Sequence, residues 1–287
     1  MSNLKKIGGS VKLATVQFAN KTKFRYMRLL FQDDVIIAGI TIQLNTSGRL
    51  YIESVDTTGF FNPRDCQTIF TKEFILETIM QFDASFISVF SCPKKEILFR
   101  KSSKNSNKGG LKTAVLLQYW IKLFESIQTY NKDMELHVFS KFYPKMSIPY
   151  RSLEEIYLFK DDPKRKLMKS IKKTNEENKI DLKSFFNIIE LRSDFNHGGF
   201  VYLVNSSRKS KPKILDTIEI KSMTKMQRYL RNLDFSTLVH AKRSTKKFIK
   251  KFNIQLTYFI TNSKNIKKYK KNDNENIIML KPKKKQI

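Results

Sequence analysis

Strand-like and helix-like segments alternate along this chain, and that alternation restricts its fold more than any other feature. The β-branched segments VIIAGITIQL and RLYIESV flank a turn at residues 45–48 that contains Asn45 and Gly48, which predicts two strands joined by a tight turn. Further strand-like segments lie at 84–92, 134–142 and 199–204, and segments with helical spacing lie at 68–81 and 112–129. We therefore predict an α/β (mixed α+β) fold, a single domain over residues 1–287 in which helices surround a central mixed sheet.

Both ends of the chain are basic. Residues 1–30 contain no acidic residue and are interpreted as a basic leader strand or arm. Toward the other end, a basic helical pattern at 223–251 precedes the strand-like segment QLTYFI. Lys, Ser and Asn accumulate near 205–213 and 262–275, so we predict basic surface loops in these two places.

The charge of the chain is strongly positive, with 55 Lys and Arg residues against 26 Asp and Glu residues and a net charge of +29. A charge of this size attracts anionic partners such as nucleic acid or acidic proteins. Lys, Asn, Ile, Phe and Tyr are all abundant, however, and they share A/T-rich codons, so genome base composition is an alternative source of the basicity. The sequence leaves both explanations open.

Cysteine and histidine are too few and too dispersed for a disulfide framework or a zinc site. Cys66 and Cys92 are the only cysteines, which is typical of a reducing compartment. His137, His197 and His240 lie far apart, and no Cys/His spacing suits zinc. No apolar run reaches the roughly 18 residues that a membrane span needs. We therefore expect a soluble intracellular protein with no metal and no membrane contact.

Walker A, GxGxxG, HExxH and GxSxG motifs are absent from the chain. One local pattern that remains is the polar loop SSKNSNKGG at 102–110. Its small residues expose backbone N–H groups, and Lys104 and Lys108 add positive charge, which suits phosphate binding ahead of a helix. A solvated, flexible loop is the simpler interpretation, and the residues alone favour it.

Two further patterns each have a functional and a structural interpretation. Asp161 and Asp162 form a carboxylate pair able to accept or relay a proton, but Asp before Pro163 is also a standard helix start. Tyr119 and Trp120, the only tryptophan, would either line a ligand tunnel or fill the core. Taken alone, the residues favour the helix cap and the core.

Taken in order, four segments resemble one family. They are RLYIESVDTTGFFNPR, FSCPKKEILFRKSSKNSNK with the following LLQYW, YLFKDDPKRK, and the terminal IIMLKPKKK. Their order and spacing are similar to those of the fungal regulator-of-transposition histone acetyltransferases, most clearly over 35–195, less over 196–270, and again at the end of the chain. The resemblance implies a fold like the acetyltransferase domain of CREB-binding protein. It also implies acetyl transfer from acetyl-CoA to a lysine in the globular core of histone H-three.

The resemblance implies roles for individual residues. Asp162 would accept or relay the proton of the substrate ammonium, and Asp161 and Asp56 would add negative field. Trp120 would pack along the stem of the substrate lysine, and Lys164 matches a lysine that acetylates itself. The positions implied to bind acetyl-CoA are Val55, Asp56, Thr57, Arg64, Asp65, Cys66, Gln67, Thr68, Phe90, Lys94, Lys104, Lys108, Gly109, Gly110, Leu111 and Tyr119.

Within that set, Arg64, Lys104 and Lys108 would hold the coenzyme phosphates by charge-assisted bonds. The implied substrate is a complex of histones H-three and H-four in the nucleus, presented by acidic histone chaperones, with weak DNA contact as an addition. The family commonly carries a long basic insertion for chaperone binding after the helix at 68–81, where this chain retains little more than FDAS. The alternative function is a noncatalytic basic module that binds chromatin or nucleic acid.

Overall fold

The structure, a computed structural model, describes most of the chain between residues 11 and 259. The described residues are 11–20, 23–45, 47–61, 63–94, 97–108, 112–143, 145–156, 158–159, 162–174, 180–192, 195, 197–205, 220–252, 254 and 257–259. Within these ranges, none of the helices combines the length and apolar character that crossing a membrane requires.

Within the described residues, eight strands form one mixed sheet. They are β1 (Val11–Asn20), β2 (Lys23–Gln32), β3 (Val35–Asn45), β4 (Arg49–Thr57), β5 (Phe86–Ser91), β6 (Glu135–Phe139), β7 (Gly199–Val204) and β8 (Thr257–Phe259). Their order across the sheet is β6-β7-β5-β4-β3-β2-β1-β8. Only the β4–β5 pair is parallel among these described strands. A parallel pair requires a crossover connection, and the helix that follows β4 supplies it.

In the part of the chain that the structure describes, six α-helices pack on the two faces of this sheet. They are α1 (Pro63–Phe82), α2 (Thr113–Gln128), α3 (Pro163–Thr174), α4 (Leu182–Leu191), α5 (Ile220–Asn232) and α6 (Leu238–Phe252). On the first face, α1 and α2 cover one continuous core that includes Ile42 of β3, Ile87 of β5 and Val201 of β7. This core extends across the β4–β5 junction and so supports both sides of it.

Alternate side chains of each strand point to opposite faces of the sheet, so the strands also contribute side chains to the second face. That face carries two separate cores. Met27 of β2 packs with residues of α5 and α6, whereas Phe200 and Tyr202 of β7 pack with residues of α3 and α4. A polar strip that contains Thr41 and Gln43 lies between these two cores and is itself buried. The second face is therefore divided in the same region as the β4–β5 junction.

The mixed α/β fold predicted from the sequence is confirmed, with several shifts in element bounds. The helix predicted at 68–81 begins at Pro63, since proline suits the first turn of a helix. The single basic helix predicted at 223–251 is two helices, because Asp234 forms a turn in which its Oδ1 accepts a hydrogen bond from the Ser236 N–H at 2.9 Å. The basic N-terminal segment forms the long strands β1 and β2. Of the loop predicted near 205–213, only Asn205 is described, and the loop predicted near 262–275 lies outside the described residues.

Candidate active site

The strands β4 and β5 separate partway along their length. Their parallel pairing is confined to Arg49–Ile52 and Phe86–Val89, although β4 continues to Thr57 and β5 to Ser91. Over residues 54–57, β4 therefore does not pair with β5. A cavity of about 650 Å³ opens at this divergence, a size typical of ligand pockets.

A β-bulge lies at the start of the divergence. Ile52 pairs with Ile42 and Ser54 pairs with Thr41, so Glu53 is an extra residue on β4. Bulges bend a strand and redirect its side chains, and they are common beside active sites. The Glu53 carboxylate lines the cavity and forms an ion pair with the guanidinium of Arg25.

The Asp56 carboxylate is buried in the β4 wall of the cavity and receives five hydrogen bonds. Its Oδ2 accepts from the backbone N–H groups of Ile97 at 2.9 Å, Leu98 at 2.7 Å and Phe99 at 3.2 Å. Its Oδ1 accepts from the N–H of Thr57 at 2.9 Å and from Lys108 Nζ at 2.6 Å. Asp56 thus fastens the 97–99 loop and the end of the polar loop to β4.

Lys108 lies inside the structure and is not a free surface cation. Its side chain is 10% exposed, and its ammonium also donates to Ser102 Oγ. The close approach of this loop to β4 depends on Gly59, which has φ +81° and whose added Cβ would stand 2.7 Å from Lys108 Cβ. A glycine is needed here both for the positive φ and for the space.

The helix α2 supplies the aromatic wall of the cavity. Trp120 is 4% exposed and lines the cavity, while its ring also packs edge-on against Tyr119 at 5.3 Å and Phe124 at 6.1 Å. Burial raises the pKa of Tyr119 to about 12, although the neighbouring hydroxyls of Thr71 and Thr68 oppose the rise. Trp120 therefore both lines the cavity and packs in the core.

Positive charge at the cavity comes from Lys94, Lys108 and Lys112. Lys112 caps the N-terminus of α2, where exposed N–H groups and the helix dipole favour an anion. The exposed Lys104 side chain lies on the short 3-10 helix of the polar loop, outside the described cavity lining. The two cations best placed for an anionic ligand are accordingly Lys94 and Lys112.

Asp162 and Lys164 form a second buried pair, on the second face of the sheet. Lys164 Nζ lies 2.8 Å from Asp162 Oδ2, and both side chains are 1% exposed. The ammonium also lies 3.8 Å from the centre of the Phe200 ring and 5.5 Å from that of Tyr202, within cation–π distance. Burial lowers the pKa of Lys164, and the adjacent Asp162 carboxylate opposes that shift.

The aromatic residues connect this second pair to the cavity. Phe90, which lines the cavity, packs against Phe200 with ring centres 4.8 Å apart, and Phe200 contacts the Lys164 ammonium. The Asp162–Lys164 pair therefore lies behind the cavity wall, separated from it by two rings.

The structure brings most of the sequence-predicted site residues whose side chains it describes to one cavity. Its lining includes Val55, Asp56, Thr57, Gln67, Phe90, Lys94, Lys108, Tyr119 and Trp120, and Thr68 contacts Tyr119. Gly109, Gly110, Leu111 and Asp161 lie outside the described residues, as do the side chains of Arg64, Asp65 and Cys66. Sequence reasoning missed Glu53 and Lys112. The position of Lys112, at the start of the helix predicted at 112–129 and after the polar loop, is the signal that would have identified it.

Comparisons with known proteins agree with this arrangement. No family model matches the chain. The chain is 24% identical over 181 residues to the histone acetyltransferase RTT109 of Candida albicans, an alignment that covers 53% of this chain and 48% of that protein. The chain thus spans about half the length of this curated relative. Its fold is similar to the crystal structure of Rtt109 from Aspergillus fumigatus, with a TM-score of 0.72 and 15% identity over 90% of this chain and 98% of that one.

The resemblance found in the four sequence segments is therefore confirmed by two independent comparisons, one of sequence and one of structure. The structural likeness extends well beyond the aligned sequence and includes nearly the whole of the Aspergillus chain. This chain has the fold of Rtt109, with the cavity at the point where β4 and β5 separate.

Proposed function

We propose that this protein is a histone lysine N-acetyltransferase that transfers acetyl from acetyl-CoA to a lysine in the globular core of histone H-three. The observation that carries the proposal is the cavity between β4 and β5, which Asp56 and Trp120 line within the fold of Rtt109. The Candida relative named as a histone acetyltransferase supports the reaction class.

The cavity suits the chemistry of acetyl-CoA. The edge of β4 at 54–56 presents backbone groups that β5 does not pair, and these can bond the amides of the coenzyme arm as an added strand would. Lys94 and Lys112 supply charge for its phosphates, together with the N-terminus of α2. Because Lys108 pairs with Asp56, we assign Lys108 to loop positioning ahead of direct phosphate binding.

Acetyl transfer requires a neutral substrate amine. The amine nitrogen attacks the thioester carbonyl, the C–S bond breaks, the coenzyme leaves as its thiol, and one proton leaves the nitrogen. The Trp120 ring can pack along the aliphatic stem of the incoming lysine. Asp162, with Asp161 beside it, would accept or relay the proton, whereas Asp56 would contribute mainly through position and field.

Self-acetylation of Lys164 fits this scheme. Burial lowers the pKa of Lys164, so a larger fraction of this amine is neutral and nucleophilic than for an exposed lysine. Its acetylation would remove the positive charge that holds the Asp162 carboxylate. Asp162 would then be released toward the cavity wall formed by Phe90 to serve the substrate proton.

The proposed partners follow from charge as well as from the resemblance. Histones are basic and cannot be attracted by a chain of net charge +29, so acidic chaperones would present the H-three/H-four complex. Such a reaction belongs in the nucleus. The same net charge supports the second candidate function, a noncatalytic module that binds chromatin or nucleic acid.

Acetyl transfer to an H-three/H-four complex, with and without an acidic chaperone, tests the proposal when products are mapped by peptide mass spectrometry. We expect site-selective transfer, and we expect Asp162→Asn to lower kcat by about 100-fold or more with little change in the KM for acetyl-CoA. The control is Asp181→Asn, at the exposed cap of α4. No transfer by folded protein with any chaperone would favour the noncatalytic module, and unchanged kcat would remove Asp162 from the chemistry.

A further inference from the structure

The excess positive charge of the helices lies on one face of the sheet. The first-face helices α1 and α2 are 20 and 16 residues long and carry three Lys or Arg residues against four Asp or Glu residues. The second-face helices α3, α4, α5 and α6 are 12, 10, 13 and 15 residues long and carry seventeen Lys or Arg residues against one Glu. The excess charge of the helices is thus confined to the second face.

This segregation excludes base composition as a sufficient cause. A bias toward A/T-rich codons would add lysine to every solvent-exposed helix surface, including those of α1 and α2. Both first-face helices instead have balanced or slightly negative charge. The second face therefore has a charge pattern that suits an anionic partner.

The helix α6 has the most regular part of this pattern. Its inner side buries Ala241, Thr245 and Phe248. From Lys242 to Lys251, the exposed residues are all cations and form two rows at i, i+4 spacing. These residues are Lys242, Arg243, Lys246, Lys247, Lys250 and Lys251. The rows create a ridge of positive charge about 13 Å long, at 1.5 Å of rise per residue.

Hydrogen bonds and an ion pair attach the α5–α6 pair, which carries the ridge, to residues 97–101 beside the cavity. Arg231 Nε of α5 donates to the Ile97 carbonyl at 2.9 Å, and the Phe235 N–H donates to the Arg100 carbonyl at 3.0 Å. Lys101 forms an ion pair of 2.7 Å with Asp234 in the turn between α5 and α6. Since Ile97 lines the cavity, the α5–α6 pair is attached directly to the cavity wall.

We propose that the α6 ridge binds duplex DNA through its phosphate backbone, without reading sequence. Protein–protein interfaces need an apolar centre and are depleted in lysine, and the exposed residues from Lys242 to Lys251 include no apolar side chain. Protein–DNA interfaces are polar and strongly positive. This inference rests on charge and exposure and does not depend on the acetyl-transfer proposal.

Fluorescence anisotropy of a 20-base-pair duplex across a salt series tests the ridge. The test variant replaces Lys246, Lys247 and Lys250 with Gln. Loss of three phosphate contacts should weaken binding by about tenfold or more at low salt and reduce the slope of log K against log salt by about 2.7, at 0.9 per contact. A duplex of different sequence should bind equally well.

The matched control replaces the exposed Lys122, Lys132 and Lys145 with Gln, which removes the same charge outside the second-face helices. It should change affinity less than twofold, and thermal unfolding should show that both triple variants remain folded. Equal losses in the two variants would overturn the ridge as a built site. Displacement of the duplex by polyglutamate of equal charge, at equal concentration, would assign the ridge to acidic protein and overturn the DNA proposal.

Discussion

Two buried lysine–carboxylate pairs, one in the β4 wall and one behind β5, differ in how fully their groups are hydrogen-bonded. Asp56 accepts four backbone N–H groups besides the Lys108 ammonium, and Lys108 also donates to Ser102. Asp162 accepts the backbone N–H of Lys164 at 3.0 Å and faces its ammonium at 2.8 Å. The Lys164 ammonium also lies over the rings of Phe200 and Tyr202.

The number of hydrogen bonds that each carboxylate accepts distinguishes one that anchors a loop from one that is able to react. Every oxygen of Asp56 is occupied, so accepting a further proton would break several loop contacts at once. The Asp162–Lys164 pair lies in a poorly solvating environment and depends mainly on mutual attraction, so the protonation state of each group depends on that of its partner. We therefore propose Asp56 as a positioning residue and the second pair as the source of acid–base chemistry.

The largest effect is expected from Asp56→Asn. The Asn side chain turns an N–H toward groups that are themselves donors, and we expect the free energy of unfolding to fall by about 4 kcal/mol or more. Urea denaturation measures this change. As a control, Asp181→Asn at an exposed helix cap should cost about 1 kcal/mol or less. Equal losses for the two variants would show that Asp56 is not an anchor.

The second pair is expected to show strong coupling. Asp162→Asn or Lys164→Met alone should cost about 3 kcal/mol, because each leaves one buried charge without its partner. The double variant should lie within about 1 kcal/mol of the wild type, because it leaves no unpaired charge. A double-mutant cycle of urea denaturation measures this coupling, and additive losses would contradict it.

The pH dependence of Asp162→Asn sharpens the same prediction. The folded pKa of Lys164 is below its unfolded value, so the unfolded chain binds more protons between the two values. This group's contribution to the free energy of unfolding therefore rises with pH through that window. The defect of Asp162→Asn should accordingly shrink from pH 7 to pH 10, and a constant defect would show that the buried ammonium is not its cause.

The smallest effect is expected from Gly59→Ala. The added Cβ meets Lys108 Cβ at 2.7 Å and the residue has φ +81°, so we expect a loss of about 1–3 kcal/mol and weaker acetyl-CoA binding. Thermal unfolding measures the loss of stability, and titration calorimetry measures the affinity for acetyl-CoA. Gly48→Ala is the control, since Gly48 also has a positive φ of 68° but lies in the β3–β4 turn. Unchanged acetyl-CoA binding in Gly59→Ala would show that the position of the Lys108 loop does not affect binding in the cavity.

Local patterns were sufficient to predict the elements that carry the site. β-branched content and a Gly-containing turn predicted β3 and β4, a strand-like segment predicted β7, and helical spacing predicted α2 with Trp120 on its buried side. The break at Asp234 was missed because helical spacing and basic charge continue on both sides of it. Helix start signals at Pro63 were outweighed by apolar spacing that begins farther along the chain.

By itself, the sequence determined the mixed α/β class, the interleaved elements and, through its resemblance to a family, the residues that gather around the cavity. Tertiary structure alone decided that β4 and β5 part after Ile52, that Asp56 receives five donors, and that Lys164 is enclosed by Phe200 and Tyr202. It also decided that cations dispersed along the chain meet on one face. The physical reason is that local patterns report periodicity within a segment, whereas partner number, burial and charge segregation depend on which distant segments the sheet brings together.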